Sequence, residues 1–164
     1  MGEALGRRGL TLVYGGASRG LMGVVADTVL GLGGTVIGVM PRGLARAEIA
    51  HAGLTEMHLV GSMYERKRLM FERADAFATL PGGFGTLDEL AEVLTMSQLG
   101  LHAKPCGLLN VAGFFDPLVA FFDRSVSERF VRPEHRALIT VGADPDGLLD
   151  ALAAAPATTV AKWP

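Results

Sequence analysis

The segment Pro81-Gly82-Gly83-Phe84-Gly85-Thr86-Leu87-Asp88-Glu89 combines residue types that hold an anion and act beside it. Glycines at a strand-to-helix turn let backbone N–H groups approach an anion closely, at the positive end of the helix dipole. Thr86 can cap the following helix and donate its hydroxyl to a phosphate. Glu89 falls one turn into that helix, on the side of the loop. A phosphate cradle beside a carboxylate predicts chemistry on a phosphorylated substrate, a few ångströms from the phosphate itself. A plain turn is the competing reading, and the combination of glycines, threonine and early acid weighs against it. The segment lacks the Lys-Ser/Thr of a Walker loop, which disfavours nucleoside triphosphate hydrolysis.

Met63-Tyr64-Glu65-Arg66-Lys67 opens the helical run before that strand. Neighbouring strands of a parallel sheet present their loops at the same carboxyl edge, so Arg66 and Lys67 can reach the phosphate or Glu89. Taken alone, with Arg68, Glu72 and Arg73 following at helical spacing, these charges read equally as a solvated face. Gly15-Gly16-Ala17-Ser18-Arg19-Gly20 follows the first strand and resembles a dinucleotide fingerprint in position only. It does not match Gly-x-Gly-x-x-Gly, and Thr35 to Met40 carries no carboxylate for a ribose, which disfavours NAD. A tight turn and a ligand contact stand level there. Glu48 reads by itself as an ordinary loop acid. The histidines His51, His58, His102 and His135 show no metal-ligand spacing, so no metal is expected. Cys106, in an apolar run, reads as core.

The elements that must position these residues alternate along the whole chain. Leu10 to Tyr14, Thr35 to Met40, Thr55 to Leu59, Asp75 to Leu80, Cys106 to Asn110 and Ala137 to Val141 are predicted strands. They are short and mostly apolar, as in parallel strands covered on both faces. Gly20 to Leu32, Ser62 to Ala74, Leu87 to Leu99, Asp116 to Phe130 and Asp144 to Ala154 have helical spacing. The order predicts an α/β fold, a Rossmann-like doubly wound parallel sheet with helices on both faces. Met1 to Gly9 looks like the end of a helix, so either the strand that normally precedes it in such a fold is missing from this chain or the fold manages without it. Residues 1–164 are enough for a single domain, with 49% apolar and 20% charged residues. A net charge of −2 and the lack of a basic stripe argue against nucleic acid. Apolar runs stop well short of a membrane span and nothing resembles a secretory signal, so a cytoplasmic protein is expected. The phenylalanines of 114–130 read as core, or more sharply as a subunit interface.

Together these residues resemble the Lonely Guy (LOG) family of cytokinin riboside 5′-monophosphate phosphoribohydrolases. The family signatures are Pro-Gly-Gly-x-Gly-Thr-x-x-Glu, here Pro81 to Glu89, and an upstream Arg-Lys pair, here Arg66-Lys67. Val13-Tyr14-Gly15-Gly16, Gly20-Leu21-Met22-Gly23, Gln98 to Pro105 and Gly107-Leu108-Leu109-Asn110 extend the likeness over nearly the whole chain. Ala17 stands where relatives often have a third glycine, and Met96 where a tryptophan is common. The family's first strand, with its Cys-Gly-Ser-like turn, has no counterpart; a trimmed or misassigned N-terminus is the economical explanation. Relatives were often labelled lysine decarboxylases, but no lysine here sits in an evident pyridoxal phosphate site.

The resemblance implies hydrolysis of the N-glycosidic bond of an N6-substituted AMP, giving free base and ribose 5-phosphate, with no cofactor. Gly82, Gly83, Gly85 and Thr86 would bind the 5′-phosphate. Arg66 and Glu89 would be the catalytic pair, with Arg66 orienting Glu89 and holding it ionised. Lys67, Glu48 and Thr95 match substrate-contacting positions, and Met63 would lie near the base. A homodimer is implied by analogy. A general AMP or GMP phosphoribohydrolase is one alternative. Another is a non-catalytic nucleotide or molybdenum-cofactor carrier, which would need the phosphate loop but no ionised acid at C1′.

Overall fold

A computed structural model describes residues 1–45 and 49–156. Glu48, a candidate substrate contact, lies outside the described residues. The chain divides into two compact units, one from Met1 to Ala74 and one starting at Asp75.

In the first unit, α1 (Gly2–Arg7) leads to β1 (Leu12–Tyr14), α2 (Gly20–Gly31), β2 (Val36–Pro41), a short turn of helix α3 (Arg42–Leu44), β3 (Glu56–Val60) and α4 (Met63–Arg73). The strands pair in parallel in the order β1-β2-β3, with Tyr14 opposite Gly38 and Val39 opposite His58. Every position of β2 is buried, as its continuous apolar run requires, because both faces and both edges are covered. The edge strand β3 is only partly buried. α1 and α2 pack on each other, and two glycines allow the approach. A Cβ on Gly2 would come 2.7 Å from the Thr28 Cβ, and one on Gly6 2.6 Å from a Leu32 methyl.

The second unit runs β4 (Phe77–Thr79), α5 (Phe84–Gln98), β5 (Cys106–Leu109), a 3-10 turn (Val111–Gly113), α6 (Asp116–Ser127), α7 (Pro133–Arg136), β6 (Ile139–Gly142) and α8 (Pro145–Ala154). Its strands are also parallel, in the order β4-β5-β6. Leu90, Leu108, Phe115 and Ile139 form its core, with Leu94, Leu118, Val119 and Phe122 packed around them. Gly107 of β5 is a close-packing glycine: a Cβ there would lie 2.7 Å from a methyl of the fully buried Leu148. Cys106 is buried in β5, and burial pushes its thiol up to about 12, as fits a core residue.

The α/β class with parallel strands flanked by helices is therefore as the sequence predicts. Two boundaries differ in ways that matter. α5 starts at Phe84, one turn before the predicted Leu87, and α6 stops at Ser127 instead of Phe130. Arg129 ends the latter run in the left-handed region, at φ 66°. The aromatic cluster splits in two. Phe115 and Phe122 serve the core, whereas Phe114, Phe121 and Phe130 are exposed, Phe130 at 83%.

Candidate active site

In the first unit the candidate residues lie at the end of β1 and the start of α4. β1 runs directly into Gly15-Gly16, and Gly16 adopts φ +77°, a conformation that side chains rarely take. Among the described residues, several hydrogen bonds hold this turn. The Tyr14 hydroxyl donates to the Ala17 carbonyl at 3.2 Å, the His51 amide donates to the Gly16 carbonyl at 2.9 Å, and the Ser18 amide donates to the Ile49 carbonyl at 2.9 Å. His51 is itself fixed. Its Nδ1 accepts from the Gly53 amide at 3.1 Å, so Nε2 carries the proton that meets Asp27 Oδ1 at 2.9 Å. With both ring nitrogens engaged, His51 is a fastener for the turn. No spacing in the sequence signals this pair, because Asp27 and His51 belong to different elements.

α4 begins at a capping box that the sequence carries as Ser62-x-x-Glu65. The Ser62 hydroxyl accepts from the Glu65 amide at 3.1 Å, and the Glu65 carboxylate accepts from the Gly61 amide at 2.7 Å. This fixes where the helix starts and hence where its first-turn side chains point. Met63 and Arg66, three residues apart, share a face. Arg66 reaches across to the sheet: its Nε donates to the Val39 carbonyl of β2 at 3.2 Å, and Nη1 lies 3.8 Å from Met63 Sδ. Met63 is exposed, while Arg66 and Lys67 are half-buried. The predicted candidates Met63 and Arg66 are thus brought together, and Gly15, which carried no assigned role, lies against the guanidinium.

The glycine loop lies in the second unit. β4 ends at Thr79, and Pro81-Gly82 leads to Gly83, the N-cap of α5. The cap glycine makes no side-chain hydrogen bond, and Leu87 donates to its carbonyl at 3.1 Å. The expectation that Thr86 caps this helix is corrected here: Thr86 is the third helical residue, inside the first turn. Its side chain folds back over Gly82, where a Cβ would overlap the Thr86 hydroxyl and lie 3.0 Å from the Thr86 Cβ. The first amides of a helix have no intrahelical acceptor, and those of Phe84, Gly85 and Thr86 carry the positive end of a 15-residue helix. Gly83 and Gly85 have no heavy atom within 4 Å of the place a Cβ would occupy, so the cradle is open on that side.

Glu89 is half-buried on α5, one turn beyond Thr86 and on the same side. The adjacent Leu90 is buried in the core and anchors the helix. Thr95 is exposed about 9 Å farther along the axis. His102 secures the far end of this helix. Its Nε2 donates to the Val93 carbonyl at 2.9 Å, and Nδ1 accepts from the Lys104 amide at 3.0 Å. Among the described residues, no group of three or more His, Cys, Asp or Glu converges as a metal set. No helix among them is long and apolar enough to cross a membrane.

Comparison with known proteins gives the following. The family model described as "Possible lysine decarboxylase" matches residues 22–152. The chain is 50% identical over 139 residues to the probable cytokinin riboside 5′-monophosphate phosphoribohydrolase LOGL1 of Oryza sativa subsp. japonica, covering 85% of this chain and 62% of the relative. It is 49% identical over 153 residues to the cytokinin riboside 5′-monophosphate phosphoribohydrolase of Rhodococcoides fascians, covering 93% of this chain and 77% of the relative. The chain thus spans less than two thirds of the rice protein's length. Among solved structures, the molybdenum cofactor carrier protein of Chlamydomonas reinhardtii superposes with a TM-score of 0.67 at 24% identity, over 93% of this chain and 81% of the carrier. That likeness is one of fold.

Proposed function

This chain belongs to the Lonely Guy (LOG) family, and from that premise we propose that it is a nucleoside 5′-monophosphate phosphoribohydrolase. Its substrate in this reading is an N6-substituted AMP of the cytokinin riboside 5′-monophosphate type. The observation that carries the reading is identity of about half the residues, over most of the chain, to relatives named for that activity. The glycine loop at the head of α5 and the fastened Arg66 support it, because they are the parts such a reaction needs.

The chemistry is a hydrolysis. The bond between C1′ and the base nitrogen breaks, with its electron pair leaving on the base. Water oxygen bonds C1′, and a water proton goes to the departing base. The transition state has oxocarbenium character at C1′, which an adjacent carboxylate stabilises. Glu89 takes that role, or draws the proton from the attacking water. The amides of Phe84 to Thr86 and the Thr86 hydroxyl hold the 5′-phosphate, and this remote binding energy fixes the ribose. Arg66 is the other member of the catalytic pair. Lys67, Glu48 and Thr95 contact substrate, and Met63 borders the base. In this reading residues 1–164 act as one nucleotide-binding domain of a cytoplasmic homodimer, and the exposed Phe114, Phe121 and Phe130 suit a subunit contact.

The test is chromatography after incubation with isopentenyladenosine 5′-monophosphate and, separately, AMP. Release of free base and ribose 5-phosphate from the first, faster than from AMP, is expected. Equal rates would move the assignment to a general AMP or GMP phosphoribohydrolase. Binding of both nucleotides without cleavage would overturn the enzyme reading in favour of a carrier.

A further inference from the structure

Gly15 and Gly16 are adjacent but are glycines for different reasons. Gly16 needs its left-handed backbone, whereas Gly15 is not among the residues with positive φ, so an alanine there meets no backbone strain. What an alanine would meet is Arg66. The three nearest heavy atoms to a Cβ on Gly15 all belong to that side chain: Nη2 would overlap it, Cζ would lie at 3.0 Å and Nε at 3.4 Å. The guanidinium therefore points its Nη2 edge at a stretch of backbone with nothing projecting from it. On the same edge Nε donates to the Val39 carbonyl, and Nη1 at the far corner lies beside Met63 Sδ. Guanidinium is rigid and planar, so pushing Nη2 away moves the whole fork and stretches the bond to Val39.

We infer that Gly15 is a positioning residue for Arg66, kept without a side chain so that the guanidinium can seat against the β1 turn and the Val39 carbonyl. The inference rests on the proposed reading only in giving Arg66 work to do on a substrate. The obstruction is the end of a flexible side chain, so Gly15→Ala should leave the fold intact and displace the arginine. A misplacement of about 1 Å in a catalytic group costs about 10²-fold in rate.

The test compares wild type, Gly15→Ala, Arg66→Ala and the double variant, with isopentenyladenosine 5′-monophosphate as substrate. Gly15→Ala should lower kcat by about 10²-fold with a smaller change in KM. In the Arg66→Ala background, the added Gly15→Ala should change kcat by less than about twofold, because the group it displaces is gone. Losses that multiply in the double variant would mean that Gly15 acts on something else, and the inference would fall.

A second readout does not depend on activity. In 15N-labelled protein, the Nε–H resonance missing from Arg66→Ala identifies Arg66. It should be protected from solvent exchange in wild type and unprotected in Gly15→Ala; retained protection would overturn the inference. If Arg66→Ala turns over like wild type, the catalytic assignment of Arg66 fails, while the Nε–H measurement still decides the role of Gly15. If Gly15→Ala does not fold, removing the Arg66 side chain must restore folding; a double variant that stays unfolded rejects the inference.

Discussion

Tyr14→Phe probes how firmly the glycine turn is held. Tyr14 is 8% exposed, and its hydroxyl donates to the Ala17 carbonyl at 3.2 Å. Burial, and after it the charge of Asp27, pushes its pKa from the ordinary 10.0 up to about 12. A pKa raised in the folded state means that this stabilisation is complete below about pH 10 and drains away as pH rises toward about 12. At neutral pH, removing the hydroxyl costs the hydrogen bond, about 1 kcal/mol. At about pH 11 the unfolded tyrosine is mostly ionised and the folded one is not, a difference of roughly one pKa unit, or about 1.4 kcal/mol. The small part of Tyr14 still open to solvent reduces this to about 1 kcal/mol. Phenylalanine has no proton to lose. Wild type should therefore be the more stable protein at neutral pH, and the two stability curves should meet near about pH 11. The buried Cys106 thiol, also up at about 12, titrates in both proteins and cancels. Urea midpoints from circular dichroism, stepped from neutral to alkaline pH, give the comparison. A gap between the proteins that stays constant with pH would refute the argument.

Glu89→Gln should slow base release by about 10²–10⁴-fold while calorimetry still finds AMP bound, since it removes the acid and leaves the cradle; turnover near the wild-type rate would exclude Glu89 from the chemistry. Two glycines of α2 should respond in opposite directions. A Cβ on Gly23 would overlap the Ser18 carbonyl oxygen and lie 2.6 Å from its carbon, so Gly23→Ala should destabilise by about 3 kcal/mol. Gly31 has nothing within 4 Å of that place, and Gly31→Ala should stabilise by about 0.5–1 kcal/mol. Thermal midpoints that move the same way would contradict the packing at Gly23. Asp144→Ala should cost about 1 kcal/mol, because its carboxylate caps α8 by accepting from the Gly147 amide at 2.9 Å. Asp144→Asn should recover most of that, and failure to do so would point away from capping.

The strands were readable because parallel strands buried on both faces must be short and apolar, and β2 and β5 are buried at every position. Their ends shift by a residue or two, since a strand stops where its neighbour stops pairing. The start of α5 was hidden by its own composition: glycine and an outward phenylalanine, Phe84 at 91% exposure, do not look helical, and the predicted start falls three residues late. Thr86 then looked like a cap although it lies inside the turn. The end of α6 carries no Gly or Pro at the break, so Arg129 in the left-handed region was not foreseeable. The helical spacing from Ser62 places the start of α4 within one residue, and the Ser62-x-x-Glu65 capping box that fixes it was not singled out in the sequence. The seat of Arg66 on Gly15 was not visible, because residues far apart in sequence meet only after β1, β2 and α4 have packed.

Arg66 is held unusually at its far end. None of the residues of α4 is fully buried, whereas Val39, whose carbonyl receives the Nε–H, is wholly closed to solvent in the middle of β2. Backbone amides of such a strand exchange with deuterium only when their unit opens as a whole, while a helix lying on the surface breathes far more often. Hydrogen exchange should therefore find the α4 amides opening more often than the amide hydrogens of β2, with the guanidinium tied to the slower element. The charged tip inherits the stillness of the sheet and the methylene stem absorbs the movement of the helix, in the way a moored bow keeps station while the hull swings.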